Sequence, residues 1–344
     1  MRYFISVSSN FITGQSKITA SIFECLASKT DWQDRRVRPG WSGLKSMLSI
    51  SLKIFLGCIL NHEQKIYLVN SRSGMGFLRD CMVLFSRRFN VKIIAHSHGS
   101  DILELLFERK YSALARFMYT GVTIITPSHR IAKKLRIYGF DAHTVENFFE
   151  WTEDLTVEVT SSRATQILWN SNRMASKGLP ELLSALDKLS DLGYEFSFIC
   201  LGSFVGDDEL STEQLLRVVA RFTARDWFCD VGPVTPNEAE EYVQSSDIVV
   251  LPSRYPTECQ PISVISAMCY GKSIIIKDTE ALRETVGDYP ASLASNDILK
   301  ALIFEIDNLD KNGVLRQDAA KRARERFNKE LFLTKLDYIL NAKI

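Results

Sequence analysis

Two cations, Arg173 and Lys177, follow the strand-like run "QILWN" and precede a helical pattern that begins near Gly178. Backbone N–H groups at a helix start, the helix dipole and two formal charges together suit a diphosphate. The competing reading is a solvated loop, the usual place for Lys and Arg. The phosphate loop Gly-x-x-x-x-Gly-Lys-Ser/Thr is absent, which argues against a P-loop NTPase. A lone carboxylate, Glu258, lies in the loop "SRYPTECQ" between the strand "DIVVLP" and the helix "PISVISAMCY", which Pro261 starts. There it either complements the helix dipole or accepts hydrogen bonds from ligand hydroxyls. Ser266 lies further along that helix.

The first half offers two more candidates. "AHSHGSD", residues 95–101, puts His98 and Asp101 at the end of the strand "VKII". His96 and His98 have no third ligand at metal spacing, Gly99 permits a tight turn, and Asp101 is expected to cap the helix "ILELLF". His98 is open between a structural turn and a functional role. Gly14, ahead of a helical pattern after the first strand, could let backbone amides approach a phosphate, although a lone glycine is usually a turn residue.

These residues sit where an α/β fold binds ligands, beyond the carboxyl ends of parallel strands. Strands are expected at "YFISV", "KIYLV", "VKIIAH", "VTIIT" and "AHTVE", then at "QILWN", "FSFICLG", "DIVVLP" and "SIIIK". Helical patterns lie between them, so two Rossmann-like halves follow. Ser and Thr accumulate and helical periodicity fails near residues 150–163, giving an expected N-terminal domain over 1–155 and a C-terminal domain over 156–344. The last stretch, "LFLTKLDYILNAKI", reads as an amphipathic helix packed on a domain, with packing back on the N-terminal one as an option.

Composition narrows the class. A chain of 344 residues is too long for one ordinary core. The net charge of +1 divides into +10 over residues 1–150 and −9 over the remainder, so the first half is suited to an anionic surface: nucleic acid, phospholipid or a pyrophosphate-linked acceptor. Seven cysteines without Cys-x-x-Cys or zinc spacing indicate free thiols in a reducing compartment. The N-terminus does not read as a signal peptide. The longest apolar stretch, residues 47–60, is interrupted by Lys53 and is too short to span a bilayer.

Taken in order, Gly14, "HSHGSD", "ITPSHRIAKKL", "NRMASKG", "LPS" and "ECQPISVISAMCYGKSIII" resemble the retaining glycosyltransferases of family 4 along almost the whole chain. The last segment parallels the family pattern E-x-x-P/G-x-x-x-x-E-A-M-x-x-G-x-P-V-I. The resemblance implies a GT-B fold, two Rossmann-like domains facing a central cleft that close over the donor. It implies that Arg173 and Lys177 hold the donor diphosphate with a backbone contact from Gly14. It further implies that His98 contacts the transferred sugar, and that Glu258 binds its hydroxyls. Gln260 is counted with the donor-binding residues. Ser266 replaces the family's second glutamate, which typically grips the nucleotide ribose; a serine offers one weaker contact.

No Asp-x-Asp metal motif is present, so the resemblance implies metal-independent transfer with retention, the two cations neutralising the leaving group. No cofactor is expected beyond the nucleotide-sugar donor, which is a substrate. The acceptor implied is a glycan or lipid-linked oligosaccharide in bacterial surface-polysaccharide (O-antigen or capsule-like) assembly. No nucleic-acid partner is expected. Residues 35–60, a basic segment leading into the apolar stretch, read either as a solvated loop before a core helix or as a contact with the inner face of the cytoplasmic membrane, through apolar surface and with Arg35, Arg36 and Arg38 facing anionic headgroups. Two alternatives are a GT-B sugar-nucleotide epimerase and a non-catalytic sugar-nucleotide-binding partner.

Overall fold

The computed structural model describes residues 2–7, 14–29, 32–37, 41–59, 65–71, 74–89, 91–152, 164–295 and 297–342. The chain forms two compact units, Met1–Asn147 with Glu330–Ile344, and Phe148–Lys329. The expected division fell at 155/156. Of the expected linker, residues 153–163 lie outside the described residues.

Unit 1 alternates β1 (Arg2–Val7), α1 (Gly14–Lys29), β2 (Trp32–Val37), α2 (Trp41–Ile59), β3 (Lys65–Val69) and α3 (Gly74–Leu84), with a 3-10 turn over Phe85–Phe89. It continues with β4 (Lys92–His96), α4 (Asp101–Leu103) and its π-turn extension Glu104–Glu108, α5 (Ser112–Tyr119), β5 (Thr123–Thr126), α6 (His129–Ile137) and β6 (Ala142–Thr144). Its six strands are parallel in the order β2-β1-β3-β4-β5-β6. Unit 2 runs β7 (Thr165–Asn170), α7 (Leu179–Asp191), β8 (Phe196–Leu201), α8 (Thr212–Ala220), β9 (Phe228–Gly232), α9 (Pro236–Ser245), β10 (Ile248–Leu251) and α10 (Ile262–Cys269). It ends with β11 (Ser273–Lys277), α11 (Glu280–Val286), β12 (Ser292–Ala294), α12 (Ile298–Asp307) and α13 (Gly313–Arg326). This sheet is also parallel, in the order β12-β11-β10-β7-β8-β9.

Both units are therefore doubly wound α/β domains. Central strands such as "IVVL" of β10 are buried along their whole length, because helices cover both faces of a parallel sheet. Three strands went unread in the sequence: β2, β9 and β12. All three are sheet edges. The basic segment expected as a loop is partly β2, whose Arg35 and Arg36 pair in register with Ile5 and Ser6 of β1. Arg38 and the side chains of Arg35 and Arg36 lie outside the described residues.

The final helix, α14 (Lys329–Asn341), is held on unit 1 by its carboxyl end. Lys92 Nζ, at the start of β4, donates to the carbonyls of Ile339 at 3.0 Å and Leu340 at 3.3 Å, and Lys65 Nζ reaches Leu340 O at 3.4 Å. Cations on the terminal carbonyls offset the negative end of the helix dipole. Among the described residues no helix is long and apolar enough to cross a membrane.

Candidate functional site

In unit 2 the strand order reverses between β7 and β10, so the crevice opens between their exits. Gly178, at φ +87°, lets those exits approach: a Cβ there would lie 2.6 Å from the Pro252 carbonyl oxygen. The Arg254 N–H donates to Ser176 O at 2.9 Å and ties the same two loops together. As a result Lys177 meets Glu258, Nζ to Oε2 at 3.4 Å, with both side chains mostly enclosed. Lys177 Nζ also donates to Ser171 Oγ at 2.9 Å, and Glu258 Oε2 accepts from Ser253 Oγ at 2.9 Å. Gly178 is the N-cap of α7, so the positive end of that helix begins one residue after Lys177. An ammonium and a helix start are thus presented for an anion beside a carboxylate able to accept from hydroxyls.

The loop after β8 supports this pair, through residues the sequence reading passed over. Asp207 accepts from Ser176 N–H at 2.8 Å and Ser176 Oγ at 2.7 Å, and from the N–H groups of Glu209 and Leu210 at 3.0 Å. Burial alone would raise its carboxyl, but these hydrogen bonds carry it down to about 2. Arg254 then pairs with Glu181 at 2.7 Å and Glu209 at 2.6 Å. Nothing in the run "GDDELS" marks Asp207 in advance; only the folded loop brings the N–H groups to it. Ser253 was legible only as part of "LPS".

The Arg173 guanidinium, expected beside Lys177, lies instead on the β8 side of the loop. Arg173 is 1% exposed, and its guanidinium turns beneath the β8 and β9 side of the sheet. It donates to Cys200 O at 2.6 Å, pairs with Asp230 at 2.5 Å and lies 4.7 Å from the Phe204 ring centroid. Lys177 turns the other way, toward β10. The two cations diverge because β7 lies between β8 and β10, and a strand exit feeds side chains to both neighbours. Arg173 braces the loop that carries Lys177.

Ser266 lies in α10, the helix in which the sequence pattern sets it. It is 3% exposed, and its hydroxyl donates to Ser263 O at 3.0 Å. Its one donor is thus engaged within the helix, and its oxygen keeps only acceptor capacity. Gln260 is buried in the exit loop, and Pro261 takes the N-cap position of α10.

In unit 1, Gly14 is the first residue of α1; the six residues before it lie outside the described ones. His98 follows β4 and stacks on His96, ring centroids 4.0 Å apart at 30°. His96 Nδ1 is 2.5 Å from Tyr67 Oη, and Tyr67 stacks on Phe4 at 5.1 Å. An aromatic ladder, Phe4–Tyr67–His96–His98, thus crosses β1, β3 and β4 to the strand end. Burial lowers the His96 pKa to about 3, so this ring is neutral. The tyrosine then donates, since burial raises its own pKa well above the ordinary phenol value. Asp101 is not the cap expected: Ser100 holds the N-cap position and Asp101 is the first helical residue. At the exit of β3, buried Asp80 accepts from Ser71 N–H at 2.9 Å and from Arg79 Nη2 at 2.9 Å. Burial nevertheless raises its carboxyl to about 6, only partly offset by Arg79 and Ser71. Among the described residues no group of three or more His, Cys, Asp or Glu side chains could hold a metal ion.

Two doubly wound parallel sheets with ligand-suited groups at their carboxyl edges define the GT-B class of fold. Residues 158–326, which carry both the β7 and β10 exits, match the family described as glycosyl transferases group 1. That part of the chain is a glycosyl transferases group 1 domain. Sucrose-phosphate synthase (tll1590) from Thermosynechococcus elongatus is similar over 98% of this chain and 97% of its own, at 13% identity and a TM-score of 0.75. Anabaena Alr3699/HepE, solved in complex with UDP-glucose, is similar over 99% of both chains at 13% identity and a TM-score of 0.74. A glycosyltransferase from Rickettsia africae ESF-5 matches 98% of this chain and 97% of its own at 14% identity and a TM-score of 0.71. No curated protein matches the sequence.

Proposed function

We propose that the protein is a retaining, metal-independent glycosyltransferase of family 4 type, moving a sugar from a nucleotide-sugar donor to a glycan or lipid-linked oligosaccharide. The setting is assembly of an O-antigen-like or capsule-like polysaccharide at the inner face of a membrane. The observation that carries this reading is the Lys177–Glu258 pair, 3.4 Å apart at the β7/β10 switch point. The UDP-glucose complex of Alr3699/HepE supports a nucleotide-sugar donor.

In this mechanism Lys177 and the N-terminus of α7 receive the donor diphosphate. They stabilise the negative charge that grows on its oxygen as the glycosidic bond breaks. Glu258 exchanges part of its contact with Lys177 for sugar hydroxyls, while Ser253 keeps its carboxylate in place. Arg173, Asp207 and Arg254 are positioning residues that act through the exit loops. His98 is kept as the sugar-contacting histidine that the family resemblance implies. The acceptor oxygen bonds to the anomeric carbon on the face from which the phosphate leaves and gives its proton to the departing diphosphate oxygen, so the anomeric configuration is retained.

A thermal-shift screen with sugar nucleotides tests the donor, because a ligand that binds only the folded state raises apparent stability. The hit is then incubated with glycan and lipid-linked acceptors, with and without a chelator. Transfer with retained configuration and no effect of chelation is expected. Absence of stabilisation by every sugar nucleotide refutes the reading. An isomerised sugar nucleotide without acceptor identifies an epimerase, and binding without turnover identifies a non-catalytic partner.

A further inference from the structure

Helix α2 is apolar on two faces at once. Met47, Ile50 and Ile54 face the core of unit 1, at spacings i, i+3 and i+7. Leu48, Leu52, Phe55 and Leu56 form a second stripe at i, i+4, i+7 and i+8, and are 41–62% exposed. An ordinary surface helix carries one apolar stripe and a polar back. The outer stripe continues onto the 3-10 turn after α3. Phe55 packs edge-on against Phe89 at 5.2 Å, and Phe89 against Phe85 at 6.1 Å. Phe85 and Phe89 are themselves 53% and 40% exposed. Three segments distant in sequence thereby make one patch, since Arg87 and Arg88 of the turn lie over the Phe117 ring of α5 at 5.5 and 4.6 Å. Contiguous exposed apolar surface of this kind marks an interaction site.

Charge selects the occupant. Helix α2, the 3-10 turn and α5 contain no Asp or Glu. Lys45 and Lys53 are exposed on α2, and Arg87 and Arg88 stand side by side on the turn. A second copy of the chain docked symmetrically here would set these cations against their own equivalents. Within these three elements every charged residue described is a cation, and an apolar stripe so flanked instead matches an anionic lipid surface, with aromatic and leucine side chains entering the headgroup boundary and cations meeting the phosphates.

We infer that the α2 stripe, the 3-10 turn and Phe117 form a docking surface for an anionic bilayer. This deepens the proposed membrane setting: the contact expected of residues 35–60 is extended from α2 to the 3-10 turn and Phe117, which adjoin it only in the folded unit. It does not depend on transfer activity.

The test is co-sedimentation of the full chain with phosphatidylcholine vesicles, with and without phosphatidylglycerol, scored without any sugar nucleotide. Binding to the anionic vesicles is expected at low salt and weakens with added salt, since exposed charges are screened over about 10 Å at 0.1 M. Leu52→Ser with Phe55→Ser, both surface positions, is expected to cut partitioning at least about tenfold through lost apolar burial. Lys53→Glu with Arg88→Glu is expected to cut it by at least about tenfold on anionic vesicles only. No binding at low salt, equal binding to neutral and anionic vesicles, or binding indifferent to both double variants overturns the inference. So does a dimer in gel filtration that Leu52→Ser with Phe55→Ser dissolves, because a second copy would then be the occupant. Vesicle binding by a protein without transferase activity would remove the proposed function and leave this surface standing.

Discussion

Arg173 and Lys177 are four residues apart and chemically alike, yet their loss should have opposite signatures. Arg173→Met keeps a long apolar stem but removes the guanidinium from Cys200 O, Asp230 and the Phe204 ring. A buried acceptor left without its donor costs about 1–3 kcal/mol. The Asp230 side chain is 39% exposed, so water recovers much of its loss, and that pair contributes no more than about 1 kcal/mol. The sum is about 3 kcal/mol, which for a unit of this size lowers Tm by roughly 6–12 °C. Lys177→Ala removes one hydrogen bond to Ser171 and one ion pair to Glu258, each in partial contact with solvent. With Glu258 still held by Ser253, its stability cost is about 1–2 kcal/mol, a Tm change of roughly 2–8 °C. Its catalytic cost is far larger. A contact that stabilises charge only in the transition state is worth about 10²–10³ in kcat.

Thermal unfolding of both variants, followed by steady-state transfer with the donor found in the screen, reads both quantities. Arg173→Met is expected to be destabilised, with transfer recovering toward wild type at low temperature, where the fold is intact. Lys177→Ala is expected to be folded and nearly inactive. A folded Lys177→Ala protein with wild-type kcat would refute the assignment. So would Arg173→Met with unchanged Tm and lost transfer, because the guanidinium would then act on the donor and not on the β8 carbonyl.

Asp80 has a folded pKa of about 6 against an ordinary carboxyl value of 3.8. The fold therefore favours its protonated form, and its contribution is full below pH ~4 and lost as pH rises through ~6, about 3 kcal/mol in all. Urea unfolding at pH 4 and pH 7 should show that loss in wild type and not in Asp80→Asn; equal pH dependence in the two would contradict it. Tyr67→Phe and His96→Phe each strand a buried polar partner, at about 1–3 kcal/mol. The double variant, with neither group left over, should be more stable than the sum of the singles by at least about 1 kcal/mol, and strict additivity would mean the 2.5 Å contact is not a hydrogen bond. Ser266→Glu should overpack α10 and destabilise by about 1–3 kcal/mol or more, while Ser266→Ala leaves donor affinity near wild type. Tighter donor binding by a folded Ser266→Glu protein would show instead that the position faces the ribose.

The central strands were legible because a parallel sheet covered on both faces demands unbroken apolar runs, as in "KIYLV", "VKII" and "SIIIK". The helix signals that punctuate them, such as Thr235-Pro236 before α9, are equally local: Thr235 accepts from Glu238 N–H and Glu238 answers at Thr235 N–H, a capping box. Edge strands carry no such signature. "WQDRRV" of β2 is largely charged and "FCDVG" of β9 has no fully buried residue, because an edge is covered on fewer sides; only pairing with β1 and β8 makes them strands.

The same division runs through the site. That Lys177 and Glu258 stand after strands and next to helix starts follows from residue order alone. That they stand 3.4 Å from each other follows from the pairing of β7 with β10, strands separated by three βα units in the chain. Sequence spacing could not tell that Arg173 belongs to the β8 side. A residue at a strand exit has a neighbour on either hand, and the choice is made by which carbonyls and which carboxylate lie there in the folded sheet. Ser266 was found by its departure from a pattern, but its burial and its bond to Ser263 O are properties of a packed helix. Periodicity and punctuation therefore determined the elements and the end of each sheet at which chemistry occurs. Long-range pairing, which no local pattern encodes, decided which side chains share that chemistry.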